Sequence, residues 1–135
     1  MTVKPVPQEF VAQLWPQVAG FIDKALPYSG GDYTLDQVRM SLTQGSWMLL
    51  VSVDDENKIH GAMTVTFMNY PNDRIAYITT TGGRHICTEG ALAEMKNIVA
   101  SMGATKVQAG ARPAMVRMLS SLGFNQRYMV VETKI

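Results

Sequence analysis

Val116-Arg117-Met118-Leu119-Ser120-Ser121-Leu122-Gly123-Phe124 closes one helix and opens a final strand, and it sets the frame for reading the rest of the chain. Met115, Val116, Leu119 and Leu122 recur at helical spacing and give one apolar stripe. Pro113 stands where a fixed φ and a missing N–H suit a first helical turn. Gly123 supplies the stop, because it takes a left-handed backbone without a Cβ clash. The spacing therefore predicts a helix from Pro113 to Leu122 and a last strand over 124–135, centred on the β-favouring run Met129-Val130-Val131.

Upstream, Lys106 to Ala109 reads as a short strand. Before it Ala91, Leu92, Met95, Ile98, Val99 and Met102 form a helical stripe ended by Gly103. Three segments, Trp47–Val53, Ile59–Met68 and Arg74–Thr81, are rich in β-branched and aromatic residues. The turn-forming runs Asp54-Asp55-Glu56-Asn57 and Asn69-Tyr70-Pro71-Asn72-Asp73 separate them, which predicts an antiparallel meander. Thr34-Leu35-Asp36-Gln37 has the form of a capping box opening a helix to about Gln44. A longer helix runs through Phe10, Val11, Leu14, Val18, Phe21, Ile22 and Leu26, with Pro16 expected to bend or divide it, and Thr2 to Val6 is a first strand. The predicted order is β-α-α-β-β-β-α-β-α-β.

With 135 residues and 47% hydrophobic composition, the chain suits one domain with a sheet covered by helices on both faces. It has no apolar run long enough to cross a membrane, and Pro5 and Pro7 interrupt the region where an export signal would need a continuous apolar core. The single Cys87 excludes an internal disulfide, so a cytoplasmic setting is expected. Residues 1–83 carry five basic and eight acidic side chains, against seven and three over 84–135, a distribution suited to an anion-binding C-terminal half. No dense Lys/Arg stripe with interleaved aromatics points to nucleic acid.

The Leu122-Gly123-Phe124 ending, with the order of elements before it, resembles the GNAT acyltransferases. In that family the corresponding helix reads Asn-x-x-Ala-x-x-Leu-Tyr-x-Lys-x-Gly-Phe. Register on Gly123-Phe124 puts Arg112 at the Asn, Met115 at the Ala, Met118 at the Leu and Leu119 at the Tyr, so the usual general-acid tyrosine is missing. The resemblance implies an α/β (α+β) three-layer fold over 1–135, with a central mixed, mostly antiparallel sheet and helices on both faces. It also implies acetyl-CoA or another acyl-CoA as cofactor. The pantetheine would lie on the backbone of Ile78, Thr79, Thr80 and Thr81, and the phosphates on the loop Gly83-Arg84-His85-Ile86-Cys87-Thr88 with Arg84 and Arg112. In the family's Gln/Arg-x-x-Gly-x-Gly/Ala loop the small positions let backbone amides approach phosphate oxygens; here Ile86 and Thr88 occupy them.

Acyl transfer to an amine needs a base, a polarised thioester carbonyl and an acid. The strand Arg74–Thr81 has no internal carboxylate. The base candidates are Asp73 at its edge, His60 on the preceding strand, or a water held by Thr79 or Thr81, and Tyr128 or Tyr77 can replace the missing acid. Each also has a plainer reading: Asp73 as a turn residue, His60 as a strand-entry side chain, the tyrosines as packing aromatics. A helix N-terminus beside Cys87 would lower its thiol pKa, but His85 two residues away does not face it and no orienting carboxylate is present. Two His and one Cys stand at no ligand spacing, so no metal site is expected.

Within the family, Val116-Arg117-Met118-Leu119 looks most like small phage-encoded GNAT-like proteins, including internal virion and assembly proteins of podophages. That implies a host-cytoplasm or virion setting and leaves two alternatives. One is an acyl-CoA-dependent N-acyltransferase. The other is a catalytically silent GNAT-fold protein acting through a protein partner or a homo-oligomer, since fold alone does not license function. An open V-shaped gap between the fourth and fifth strands favours the enzyme; a closed gap with a buried Leu119 favours the silent protein.

Overall fold

A computed structural model describes all of residues 1–135. Strands β1 (Thr2–Val6), β2 (Met48–Val53), β3 (Ile59–Asn69), β4 (Arg74–Gly83) and β5 (Lys106–Ala109) form one sheet in sequential order. The first four pair antiparallel, and β5 joins β4 in parallel. Parallel pairing requires a crossover, supplied by helix α3 (Glu89–Ser101). Helices α1 (Val11–Ala25) and α2 (Leu35–Thr43) lie before β2, and α4 (Pro113–Ser121) follows β5. The expected three-layer architecture is therefore present.

The sheet is buried on both faces, which explains the continuous apolar run of β2. On one face Leu49, Val51, Val53 and Ala62 meet Val11, Val18 and Ile22 of α1 and Val38 and Leu42 of α2. On the other, Leu50, Met63, Val65 and Ala76 meet Leu92, Met95 and Val99 of α3. The capping box forms as expected, with Thr34 N–H donating to Gln37 Oε1 and Gln37 N–H to Thr34 Oγ1. Pro16 does not divide α1, which runs unbroken through it. Trp15 and Trp47 are half-buried against the α1/α2 core.

The expected last strand is absent. After α4, residues 124–135 adopt no regular structure, and Met129, Val130 and Val131 are 81%, 84% and 87% exposed. Of this stretch only Phe124 packs against the α3-side core. The preference of Met-Val-Val for a strand is a preference for a pleated, half-buried surface with a ladder partner, and this segment has neither.

Gly82 sets how closely α1 approaches β4, since a Cβ there would lie 2.2 Å from the Phe21 carbonyl oxygen. Backbone stands on both sides of this contact, so neither side can yield cheaply. Gly82→Ala is expected to lower unfolding free energy by at least ~2 kcal/mol by overpacking, measured by urea denaturation. An unchanged midpoint would show that α1 slides freely on the sheet.

Candidate active site between β4 and β5

Pairing between β4 and β5 ends at Ile78 opposite Ala109, whereas β4 continues to Gly83. From Thr79 onward the β5-facing edge of β4 has no strand beside it, and this unpaired stretch is the gap between the two strands. The gap begins at a β-bulge. Thr64 of β3 pairs with Thr80 and Val65 with Ile78, which leaves Thr79 as an extra residue on β4.

Three buried hydroxyls hold the bulge. Thr79 Oγ1 donates to the Thr64 carbonyl at 3.0 Å, and Thr64 Oγ1 lies 2.6 Å from both Thr79 Oγ1 and Thr80 Oγ1. Each hydroxyl has one proton. Thr79 spends its proton on the carbonyl, so Thr64 donates to Thr79 and Thr80 donates to Thr64. The neighbouring Thr81 hydroxyl is buried and has no partner in the protein.

Where the pairing ends, Tyr77 Oη stands 2.7 Å from where a Gly110 Cβ would be, so a side chain at 110 would push the ring from its place across the start of the β5–α4 connection. Tyr33 packs edge-on against Trp47 at 4.9 Å. Burial raises the Tyr33 pKa, reinforced by Tyr77 and Asp32. Arg112 N-caps α4 and lays its guanidinium 4.3 Å above the Tyr28 ring. Tyr28, Tyr33 and Gly110 carry no motif, and the sequence signal for them was only aromatic spacing. Leu119 is half-buried on α4.

The loop 83–88 joins β4 to the N-terminus of α3. Gly83 (φ 87°) and His85 (φ 60°) are both left-handed. Arg84 is exposed, while its backbone is pinned: its N–H donates to the His60 carbonyl and its carbonyl accepts from Ser52 Oγ. Thr88 caps α3 by accepting from Ala91 N–H. Ile86 does not occupy the loop's mouth as its position in the motif suggested. Its side chain is 2% exposed and belongs to the α3-side core. Cys87 also departs from expectation: burial pushes its thiol pKa up.

The proposed base residues are engaged elsewhere. Asp73 precedes β4, six residues or roughly 20 Å of strand from Thr79. It bridges Lys106 at 3.1 Å and accepts from Thr105, and the Lys106 hydrogen bond holds its pKa below the usual carboxylate range. His60 Nε2 contacts Asp54 Oδ2 at 2.8 Å, and its ring meets His85 edge-on at 6.0 Å. Asp54 also accepts from the backbones of Glu56 and Lys58, so His60 completes the β2–β3 turn. Tyr128 lies on the unpaired 124–135 segment, 61% exposed, with Arg127 over its ring.

No protein-family model and no curated protein matches this sequence. Among solved structures it is similar to an aminoglycoside acetyltransferase from an uncultured soil metagenomic sample, with TM-score 0.71 and 13% identity over 99% of this chain and 94% of that one. It is also similar to the aminoglycoside 6'-N-acetyltransferase of Acinetobacter baumannii (TM-score 0.68, 15% identity, 99% and 97% covered). A predicted acetyltransferase with acetyl-CoA from Clostridium acetobutylicum gives 0.66, 14% identity, and 98% and 95%. The fold is that of the GNAT acetyltransferases.

Two outcomes follow from the loop and the turn. Ile86→Gly is expected to destabilise the protein by about 3–5 kcal/mol, since it removes a buried side chain and adds backbone freedom, so thermal melting should shift well down. A neutral effect would show that Ile86 is not a core residue. Asp54 is held down to about 2, chiefly by the His60 hydrogen bond and then by Lys58 N–H. A depressed carboxyl contributes stability above its ordinary value of 3.8 that disappears as pH falls through about 2. In His60→Ala, the Asp54 titration followed by carboxyl NMR should move up toward 3.8. A titration that stays at the wild-type position would assign the effect to the turn amides alone.

Proposed function

We propose that this chain is an acyl-CoA-dependent N-acyltransferase with its acyl donor held in the gap between β4 and β5. The observation that supports this most is the unpaired edge of β4 beyond Ala109, since an extended pantetheine arm can hydrogen-bond to a strand edge as another strand would. The orphaned Thr81 hydroxyl is a second fit: a buried polar atom without a partner is costly unless a ligand or water meets it.

In this reading the backbone of Ile78, Thr79, Thr80 and Thr81 binds the pantetheine, and the α3 N-terminus with Gly83–Thr88 faces the phosphates. Arg84 is the loop's free cation. Arg112 orients the acceptor side of the gap through its stack on Tyr28. Bound acyl-CoA would supply the activated acyl group as a thioester. Tyr77 Oη holds a proton where the pairing ends and replaces the tyrosine missing at Leu119. Tyr33, whose raised pKa keeps it protonated, is a second donor. Neither β4 from Tyr77 to Gly83 nor the stretch from Gln108 to Arg112 contains a carboxylate, so the acceptor's proton passes to water held at Thr81.

A silent GNAT-fold protein is the second reading, favoured by the hydrocarbon side chain of Leu119 where a hydroxyl is expected. The phage context belongs to both readings and rests on the Val116–Phe124 resemblance.

Calorimetric titration with acetyl-CoA should give saturable micromolar binding, on the order of −8 kcal/mol. Tyr77→Phe should keep that affinity while slowing transfer to an amine at least ~10-fold. Absence of heat up to millimolar ligand would overturn the enzyme reading in favour of the silent one.

A further inference from the structure

Given the acyltransferase reading, on which this depends, we propose that the acceptor is an aromatic amine that also carries a carboxylate, as an aromatic amino acid does, and that Arg112 laid on Tyr28 is the clamp for that carboxylate.

Helix α1 lies across the unpaired stretch of β4. A Cβ on Gly82 would meet the Phe21 carbonyl, and Ala25 Cβ is 3.5 Å from the same point. The turn that follows α1, Leu26–Tyr28, brings Tyr28 to the start of α4, where the Arg112 guanidinium lies 4.3 Å above its ring. Arg112 stands two residues after Gly110, the position that Tyr77 crosses. One residue of the α1–α2 connection and one of the β5–α4 connection thus meet beside the place where the β4–β5 pairing ends. Tyr33 belongs to the same neighbourhood, since burial first, and then Tyr77 and Asp32, hold its pKa up. Its ring is fixed edge-on against Trp47.

A guanidinium resting on a ring keeps its plane fixed and its in-plane N–H donors available, which is the arrangement that binds a carboxylate through two parallel hydrogen bonds. No carboxylate of the protein takes that place: the ion pairs are His60–Asp54 and Lys106–Asp73, and residues 108–117 contain no Asp or Glu. On the other side of the site, Asp32 is the one carboxylate over residues 24–35. One anion beside the tyrosines and one cation on Tyr28 match a zwitterion, with Asp32 attracting the ammonium end and Arg112 the carboxylate. Tyr28 is 62% exposed and Tyr33 half-buried, so both offer ring surface to an aromatic body. A polycationic amine would set further positive charge against Arg112 with Asp32 alone to offset it. On transfer, the nitrogen of the neutral amine joins the acyl carbon as the thioester C–S bond breaks. A proton of that nitrogen leaves to water, and the CoA sulfur takes the Tyr77 proton, which water restores.

With acetyl-CoA, and after correction for amine basicity, kcat/KM for phenylalanine should exceed that for phenethylamine, the same amine without the carboxylate, at least ~10-fold. Spermidine should be poorer still. Arg112→Gln should bring the phenylalanine-to-phenethylamine ratio to about one, chiefly through KM, and Arg112→Lys, a charge without the planar fork, should restore part of it. In the protein without CoA, N-acetylphenylalanine should shift the Tyr28 ring signals in NMR at a concentration at least ~10-fold below that needed of N-acetylphenethylamine. Turnover with no preference for the carboxylate would overturn the assignment. So would an Arg112→Gln chain that keeps the preference and loses acetyl-CoA affinity, which would place the guanidinium on the CoA phosphates. Acetyl-CoA binding without transfer to phenylalanine would overturn the acceptor class and leave the donor site standing; no acetyl-CoA binding would overturn both.

Discussion

The candidate site depends on the threonine chain at the β4 bulge. With Thr79 inserted as an extra residue, β4 changes phase between Ile78 and Thr80, so that both Thr79 and Thr80 direct hydroxyls to Thr64. A bulge bends the strand and strengthens its twist, which turns the far half of β4 away from β5. The proton order along Thr80, Thr64, Thr79 and the Thr64 carbonyl leaves every member satisfied. Such a network is stable only when complete, because each buried hydroxyl without a partner costs about 1–3 kcal/mol. The bulge is thus held by a hydrogen-bond chain that valine, the usual strand isostere, cannot supply.

The two ends of β4 are treated oppositely. At its start, Arg74 donates to the Met102 carbonyl and to Asn69 and stacks over Phe67 at 4.4 Å, while Thr105 N–H donates to the Arg74 carbonyl. Asp73 adds its bridge to Lys106. Each of these exposed contacts is weak by itself, but together they fasten the beginning of β5 to the beginning of β4. At the other end, Tyr77 lies across Gly110 and the strands part. A clamp at one end, with a bulge and a ring at the other, keeps the two strands paired over 75–78 and 106–109 and leaves β4 unpaired beyond. This is also why Asp73 is better placed as a fastener than as a base.

Much of this was legible in the sequence. The five strands and four helices followed from period-2 and period-3.6 patterning, and the Thr34/Gln37 box was read from its spacing. The bulge was not, because Thr79-Thr80-Thr81 are three identical β-branched residues and carry no phase to reveal an insertion. Ile86 misled for a related reason: a motif position records where a residue falls along the chain and says nothing about which way its side chain points. Tyr33 and Tyr77 are 44 positions apart, and only the fold brings the segment before α2 close enough to β4 for one to act on the other. The absent last strand marks the limit of propensity, since Met129-Val130-Val131 has strand preference yet pairs with no strand of the sheet.

The charge asymmetry acquires a spatial meaning from the fold. Of the seven basic residues after Gly83, only Lys106 forms an ion pair, and the other six have no carboxylate within salt-bridge distance. They belong to the loop after β4 (Arg84), α3 (Lys96), the N-cap and exposed face of α4 (Arg112, Arg117), and the segment beyond it (Arg127, Lys134). Unpaired charge of one sign on neighbouring elements sums into a field extending about a Debye length, roughly 8 Å at physiological salt. Such a field favours anions near these elements over the acidic first half of the chain. Of the eight acidic residues in the first 83, α1 and α2 hold one each and most of the rest lie in turns and connections, with Asp73 alone bridging to β5 through Lys106.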